Sequence, residues 1–160
     1  MPAPFLDFSV EVSCKKIPTD AEDAGFSQLL PRKPVGSIFV LGKHEDVLKF
    51  SHPMVINPFQ GYPEEERNIL DPRLKETVKE FSSIDGAFIF REDGIILAAG
   101  RHLDASGEGI EIPLGLGSRH RAAAGITHLT DALAIVISEG TGEVRIFHHG
   151  KILMEIEKGE

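Results

Sequence analysis

The stretch GLGSRHRAAAG, residues 115–125, determines the local fold around three basic side chains that indicate a binding site. It predicts a glycine-rich turn that runs into a helix near Ser118, with Arg119, His120 and Arg121 in the first turn. Cations normally avoid that end of a helix, because the helix dipole already makes it positive. Unpaired N–H groups, the dipole and two guanidinium groups together favour a bound anion such as phosphate. A solvated helix start with chance charges is the alternative.

The segments around this stretch predict a sheet. Asp93-Gly94 is a strong hairpin signal between two apolar runs, and glycine turns separate the last three runs into a meander. A short helix is expected at 44–49. Because strands and helices alternate, the chain is expected to form a mixed-sheet α/β domain with helices packed against the sheet. The predicted strands are 37–41, 87–90, 95–99, 133–137, 143–147 and 151–156.

Two longer helices are expected to cover this sheet. The first begins at Asp71, a suitable N-cap, and Pro72 takes the first helical position. The second runs from Ser118, whose hydroxyl is a good N-cap, to about Leu129. The residues expected on their buried sides are Leu74, Val78 and Phe81, and Ala122, Ile126 and Leu129.

Length and composition indicate one domain. The chain has 160 residues, of which 41% are hydrophobic and 26% charged, values typical of a soluble globular protein. Prolines and acidic residues predict an N-terminal arm or linker at 1–33, and the compact domain is expected to span 34–160. No apolar run is long enough to cross a membrane and no signal peptide opens the chain, so we expect a cytoplasmic protein without a membrane partner.

Charge and cysteine content narrow the possible partners. The formal net charge of -8 argues against a long nucleic acid, whose binding depends on many Lys and Arg contacts to phosphate. A small phosphorylated ligand needs only a local positive pocket, which Arg119 and Arg121 can supply. The single cysteine, Cys14, excludes an internal disulfide and a metal site built on cysteine pairs.

Two further segments carry candidate site residues. Asp85-Gly86-Ala87 lies where a loop enters a strand; its small residues would let a ligand backbone approach closely. Asp85 can hold a divalent metal or accept a proton, or it can simply cap its own turn. Ser138-Glu139 follows an apolar strand, and ligands of open α/β sheets tend to bind at strand ends. A plain polar turn explains the second segment equally well.

Taken together, these segments resemble the diadenylate cyclase (DAC) domain. Asp85-Gly86-Ala87 matches the DGA motif of that family and Arg119-His120-Arg121 matches its RHR motif, with Ala122-Ala123 and Ser138-Glu139 following in the expected order. The resemblance runs from about Pro34 to Ile156. It implies a mixed, mostly antiparallel twisted central sheet flanked by helices. The stretch 35–59 looks most like the soluble archaeal branch, which implies a further domain upstream of the cyclase.

The resemblance implies a reaction and its partners. Two ATP molecules would condense to cyclic di-AMP and two pyrophosphates, with Mg²⁺ or Mn²⁺ as cofactor. Each 3′-hydroxyl must attack the α-phosphorus of the other ATP, and one isolated domain with one ATP lacks the second reactant. A face-to-face homodimer, or a higher homo-oligomer that contains it, would bring the two sites together.

Residue roles follow from the matched motifs as implications of the resemblance. Asp85 would bind the metal and activate the 3′-hydroxyl, and the backbone of Leu103 would read the adenine edge. Ser138 would contact phosphate, and Glu139 would assist the metal or its waters. Gly86 and Ala87 would line the nucleotide path. The triphosphate would be held by Gly117, Ser118, Arg119, His120 and Arg121.

Two positions depart from other branches of this family. Ile84 precedes the DGA motif where certain bacterial members have His, and Gly140 stands where some have a second acidic residue. Both differences remove possible metal ligands, and they motivate a second hypothesis, a non-catalytic sensor that binds ATP or cyclic di-AMP. In a third hypothesis, an interaction module, Arg119 and Arg121 merely pair with surface carboxylates.

Overall fold

A seven-stranded sheet organises the computed structural model, which describes residues 36–157. The predicted arm at 1–33 lies outside the described residues. Loops and a 3-10 helix at Glu64–Arg67 connect the regular elements. In chain order these are β1 (Ser37–Leu41), α1 (His44–Lys49), β2 (Ser51–Pro53), α2 (Pro72–Phe81), β3 (Ala87–Phe90), β4 (Ile96–Leu103), α3 (Ser118–Leu129), β5 (Leu133–Ile137), β6 (Val144–His148) and β7 (Lys151–Ile156).

Strand β1 lies in the middle of the sheet, whose order is β2-β4-β3-β1-β5-β6-β7. It runs parallel to β3 and antiparallel to β5, and every other neighbouring pair is antiparallel. A parallel neighbour requires a long crossover, which here is the segment 42–86 with its helices. The predicted mixed, mostly antiparallel sheet with a final meander is therefore confirmed.

Both faces of the sheet are covered, which explains why β1 reads as an unbroken apolar run. Phe39 and Leu41 point into a core shared with α2, whereas Ile38 and Val40 point into a second core shared with α1 and α3. Helix α3 contributes mainly small residues to that second core, so its axis can lie close to the strands.

The N-terminal ends of the two longer helices differ. Asp71 caps α2 as predicted, and its side chain accepts a hydrogen bond from the Arg73 N–H at 2.9 Å. The predicted cap of α3 is wrong by one residue: Gly117 is the N-cap, Ser118 is already helical, and no side chain caps this helix. The backbone N–H groups in the first turn of α3 are therefore available to another hydrogen-bond acceptor.

The predicted buried side of α3 also needs correction. Ile126 is fully buried, but Ala122 is only partly buried and Leu129 is 49% exposed. The buried residues are instead His120, Ala123, Ala124, Gly125, Ile126 and Thr127. A packed glycine explains the shift, because a Cβ on Gly125 would lie 2.8 Å from the Ala105 carbonyl oxygen. The loop before α3 thus covers a side that an apolar stripe does not reveal.

Strand β4 is longer than predicted. It continues to Leu103 because β2, which the sequence did not indicate, pairs with its second half through Ser51–Leu103 and His52–His102. Arg101 fixes this pair: its guanidinium donates to the Ser51 hydroxyl at 2.8 Å and to the Ser51 carbonyl at 2.9 Å. The result is a rigid strand end beside Asp85.

Candidate functional site

One cleft of about 340 Å³ brings the two predicted motifs together. Asp85 and Arg119, which are far apart in the sequence, both line it, and Leu103 lies in the same wall. Larger depressions occur elsewhere among residues 36–157, one of about 720 Å³ lined mainly by 53–57 and 97–101. The smaller cleft is the candidate site, because it pairs an acid with a helix N-terminus. Its lining is Ile38, Met54, Asp85, Gly86, Ala87, Arg101, His102, Leu103, Ser118, Arg119 and Ala122.

Asp85 owes its position to the residue that follows it. Gly86 has a φ of +108°, and a Cβ there would lie 2.6 Å from the Gly100 carbonyl carbon. The small residue was expected to admit a ligand backbone, but its close neighbour is the protein's own strand β4. Strands β3 and β4 therefore approach closely at this point, and the exposed Asp85 is held at the start of β3 in the wall of the cleft.

The uncapped start of α3 forms another part of the cleft. The first intrahelical bond runs from the Arg121 N–H to the Gly117 carbonyl at 3.2 Å, so the N–H groups of 118–120 precede the ladder. Such groups, with the positive end of the helix dipole, favour an anion. Two of the residues that carry these N–H groups, Ser118 and Arg119, line the cleft.

Arg119 already has a weak acidic partner. Its Nη1 lies 3.3 Å from Oε2 of Glu139, and the two side chains are 34% and 70% exposed. An ion pair this exposed stabilises by about 0–1 kcal/mol, so an incoming phosphate can displace it. The guanidinium also crosses Gly36, where a Cβ would lie 2.6 Å from Nη1, and the absence of a side chain at Gly36 therefore leaves room for Arg119.

His120 points away from the cleft, contrary to its expected contact with phosphate. Its side chain lies on the buried side of α3. The Nε2 atom is 3.5 Å from Arg145 Nη1, and the ring centroid is 6.2 Å from that of Phe147. Burial, and then the positive charges of Arg145 and Arg119, lower the pKa of His120, and Glu143 opposes this only in part. The imidazole is therefore neutral near pH 7 and packs the helix against β6.

This buried imidazole predicts a loss of stability in mild acid. The pKa of His120 is lower in the folded chain than in the unfolded chain, so the unfolded state binds more protons below about pH 6.5. The free energy of unfolding should fall as the pH drops from that value towards the lowered pKa, by at most about 1.4 kcal/mol per pH unit. Urea titrations between pH 5 and 7.5 measure it.

The matched variants are His120→Gln and His128→Gln, since His128 is an exposed residue of the same helix. His120→Gln should flatten the dependence on pH, and His128→Gln should keep the slope of the parent protein. Equal slopes in the parent and His120→Gln would show that His120 is not the group responsible.

The remaining predicted residues lie around the cleft rather than in its lining. Arg121 is exposed at the end of the first turn of α3. Ser138 opens the turn after β5, where its N–H donates to the Glu143 carbonyl at 2.9 Å. Glu139 reaches the cleft only through Arg119. Among residues 36–157, five of the predicted site residues are therefore not part of the cleft lining: Gly117, His120, Arg121, Ser138 and Glu139.

Five lining residues were missed by the sequence analysis, the apolar Ile38 and Ala122 and a group of three formed by Met54, Arg101 and His102. The members of this group of three belong to the β2–β4 pair or to the residue beyond it, where the Met54 N–H donates to the Gly100 carbonyl at 2.8 Å. The available signal was the polar sequence at the end of an apolar strand. It becomes informative only when β2 is known to lie beside it.

The side chains of the cleft suit a divalent cation that is held partly by the phosphate groups of a bound molecule. Asp85 offers one exposed carboxylate, while Ile84 and Gly140 add no donor side chain. Mg²⁺ is commonly bound through one or two carboxylates together with substrate phosphates and water. A cation shared between Asp85 and a triphosphate therefore fits these residues.

An acid, an arginine and an open helix N-terminus in one cleft define a candidate site for a phosphate-bearing ligand. The family model described as "DAC: DisA bacterial checkpoint controller nucleotide-binding" matches residues 26–152. The chain belongs to this DAC family.

Curated relatives agree with this assignment. The diadenylate cyclase of Methanocaldococcus jannaschii is 46% identical over 123 residues, covering 77% of this chain and 38% of its own length. That of Haloferax volcanii is 43% identical over 125 residues, covering 78% and 45%. Both organisms are archaea, and the chain spans less than half the length of either relative.

The fold is shared with a solved structure, that of DacA from Staphylococcus aureus. Its TM-score is 0.55 at 23% identity, and the match covers 94% of this chain and 87% of that one. At this identity the likeness shows the fold alone. In the part of the chain that is described, no helix has the length and apolar character needed to cross a membrane.

Proposed function

We propose that this chain is the cyclase domain of a diadenylate cyclase, which condenses two ATP molecules into 3′,5′-linked cyclic di-AMP and two pyrophosphates. The observation that carries the proposal is the shared cleft of Asp85 and Arg119. Family membership and the named activity of two relatives support it. The archaeal relatives also support the assignment to an archaeal type, and ATP as substrate supports a cytoplasmic location.

The reaction is two nucleotidyl transfers. In each, a 3′-oxygen of one ATP forms a bond to the α-phosphorus of the other, and the bond from that phosphorus to the bridging oxygen of pyrophosphate breaks. The 3′-hydroxyl loses its proton, and the negative charge leaves with pyrophosphate. In this proposal Asp85 accepts a hydrogen bond from the 3′-hydroxyl and favours loss of that proton.

Arg119 and the start of α3 hold the triphosphate. The guanidinium exchanges Glu139 for phosphate oxygens, and the N–H groups of 118–120 face the same charge. Positioned donors of this kind stabilise charge that develops on the leaving pyrophosphate. His120 acts as a positioning residue under the helix, whereas Arg121 reaches the ligand only from the rim. Leu103 and Ala87 form the wall against which the nucleoside lies.

A divalent metal ion, Mg²⁺ or Mn²⁺, would be held by the Asp85 carboxylate together with the triphosphate of the bound nucleotide. When bound, it supplies positive charge that offsets the phosphate oxygens. Two copies of the domain must face one another, because each ATP is both nucleophile and electrophile. We therefore propose a homodimer, transient or within a larger homo-oligomer, as the working unit.

Product analysis tests the function. The protein is incubated with ATP and either Mn²⁺ or Mg²⁺, and nucleotides are separated by ion-pair chromatography. Cyclic di-AMP should accumulate with two pyrophosphates per molecule, and the rate per protein should rise with protein concentration as dimers form. Tight ATP binding without pyrophosphate release would instead identify the sensor suggested by Ile84 and Gly140. A melting temperature that ATP leaves unchanged would favour the interaction module.

A further inference from the structure

A second polar cluster stands at the rim of the cleft, outside the two family motifs. His52 and His102 are direct partners in the β2–β4 pair, so their side chains leave the same face of the sheet. Asp104 follows His102 by two residues and points to that same face. All three side chains are exposed, and His102 also lines the cleft that contains Asp85.

The donor atoms of this cluster converge. Oδ1 of Asp104 lies 2.8 Å from Nδ1 of His52 and 3.2 Å from Nδ1 of His102. The two imidazoles stack at 4.9 Å with an interplanar angle of 29°, and one donor atom from each residue lies within 4.8 Å of the others. Bonds of about 2.0–2.1 Å to one ion would place tetrahedral ligand atoms roughly 3.3 Å apart, which is close to these separations.

The backbone holds the cluster in place. The Asp104 N–H donates to the Phe50 carbonyl at 2.7 Å, which extends the β2–β4 pairing past His102. Arg101 precedes His102 in β4, and its side chain therefore leaves the other face of the sheet. Its guanidinium donates hydrogen bonds to the carbonyls of Leu48 and Ser51. The side chains therefore need little ordering when an ion binds, since the strands that carry them are already fixed.

We propose that His52, His102 and Asp104 form a binding site for a divalent transition-metal ion, separate from the cation held by Asp85. Two imidazoles and one carboxylate are ligands of Zn²⁺, Mn²⁺ and Fe²⁺, whereas Mg²⁺ prefers oxygen ligands alone. Three protein ligands leave at least one position for water or for a ligand in the cleft. Such an ion adds positive charge at the rim, beside the path of an incoming polyanion.

A simpler arrangement, in which Asp104 only accepts hydrogen bonds from the two imidazoles, uses the same distances. The two interpretations differ in what happens when a metal is added. Hydrogen bonds alone give no selective affinity, while a site with two imidazoles should bind Zn²⁺ far better than Mg²⁺.

Zinc binding without nucleotide tests the proposal. Zn²⁺ alone is titrated into the whole chain in competition with a chromophoric chelator, in the presence of a large excess of Mg²⁺. Replacing His52 and His102 together by Ala should weaken the site by about 10- to 100-fold or more, and Asp104→Asn should weaken it to a smaller extent. In the parent protein, the imidazole C–H proton signals of His52 and His102 should shift with one equivalent of Zn²⁺.

The matched control is His149→Asn, which removes an exposed histidine whose Nδ1 lies 3.7 Å from Asp131 Oδ1. It should leave the affinity for Zn²⁺ unchanged. The proposal is overturned if the double variant binds Zn²⁺ as tightly as the parent, if the control loses as much affinity, or if Mg²⁺ displaces Zn²⁺ at similar concentrations. Circular dichroism of each variant confirms that the exposed substitutions leave the fold intact.

Failure of this inference can be told apart from failure of the proposed function. Asp85→Asn should slow cyclic di-AMP formation by about 10²- to 10⁴-fold and leave zinc binding at His52, His102 and Asp104 in place. A protein that makes cyclic di-AMP but shows no Zn²⁺ affinity dependent on this cluster keeps its function and loses this site.

Discussion

Replacing Asp85 with Asn is expected to reduce the rate of cyclic di-AMP formation by about 10²- to 10⁴-fold, while ATP still binds. The substitution keeps the size of the side chain and removes its charge, and with it the ability to draw the proton from a 3′-hydroxyl. Asp85 is exposed, so the free energy of unfolding should change by less than about 0.5 kcal/mol. Chromatography of the products and calorimetry with ATP measure the two effects separately.

Asp131→Asn is the control for this variant, because Asp131 is exposed on the turn after α3 and does not line the cleft. It should synthesise cyclic di-AMP at the parent rate. If Asp85→Asn turns over ATP normally, the role proposed for this carboxylate is wrong, whatever its position in the cleft.

Replacing Arg119 with Ala is expected to lower kcat/KM by roughly 10²- to 10³-fold. The loss should appear in both constants, because the guanidinium holds the triphosphate in the ground state and stabilises charge on the departing pyrophosphate. Arg119→Lys should recover part of the binding of ATP but less of kcat, since an ammonium keeps the charge without the planar fork. Steady-state pyrophosphate release over a range of ATP concentrations measures both constants.

Arg73→Ala is the matched control for this arginine. Arg73 is an exposed residue of α2 whose Nη2 lies 2.9 Å from Asp71 Oδ2, so its removal also breaks a surface ion pair. Its kinetic constants should equal those of the parent. Equal kinetics for Arg119→Ala would mean that the start of α3 binds the triphosphate without this side chain.

Local patterns predicted most of the regular structure. β1, α1 and β5 have the predicted bounds, and α2 begins at its predicted cap. Each is specified by signals within a few residues, such as an apolar run or a proline after a capping aspartate. The two motifs were also expected to meet, and Asp85 and Arg119 do line one cleft.

Features that depend on distant partners could not be read in this way. Strand β2 has three residues and ends in a proline, and only its pairing with β4 makes it a strand. The orientation of His120 depends on Arg145 and Phe147, which come from a strand later in the chain. The cluster of His52, His102 and Asp104 was missed for the same reason, since its members become neighbours only through that pairing.

The central position of β1 in the sheet determines when the nucleotide site can form during folding. Phe39 is aligned with Phe88 on one side and with Ile135 on the other. The loop before β3 carries Asp85, and the helix before β5 carries Arg119, so both halves of the cleft depend on pairings that close long loops. Such nonlocal contacts form slowly and cooperatively. We therefore expect nucleotide affinity to appear during refolding only when the whole sheet is complete. Partly folded chains should neither bind ATP nor form cyclic di-AMP.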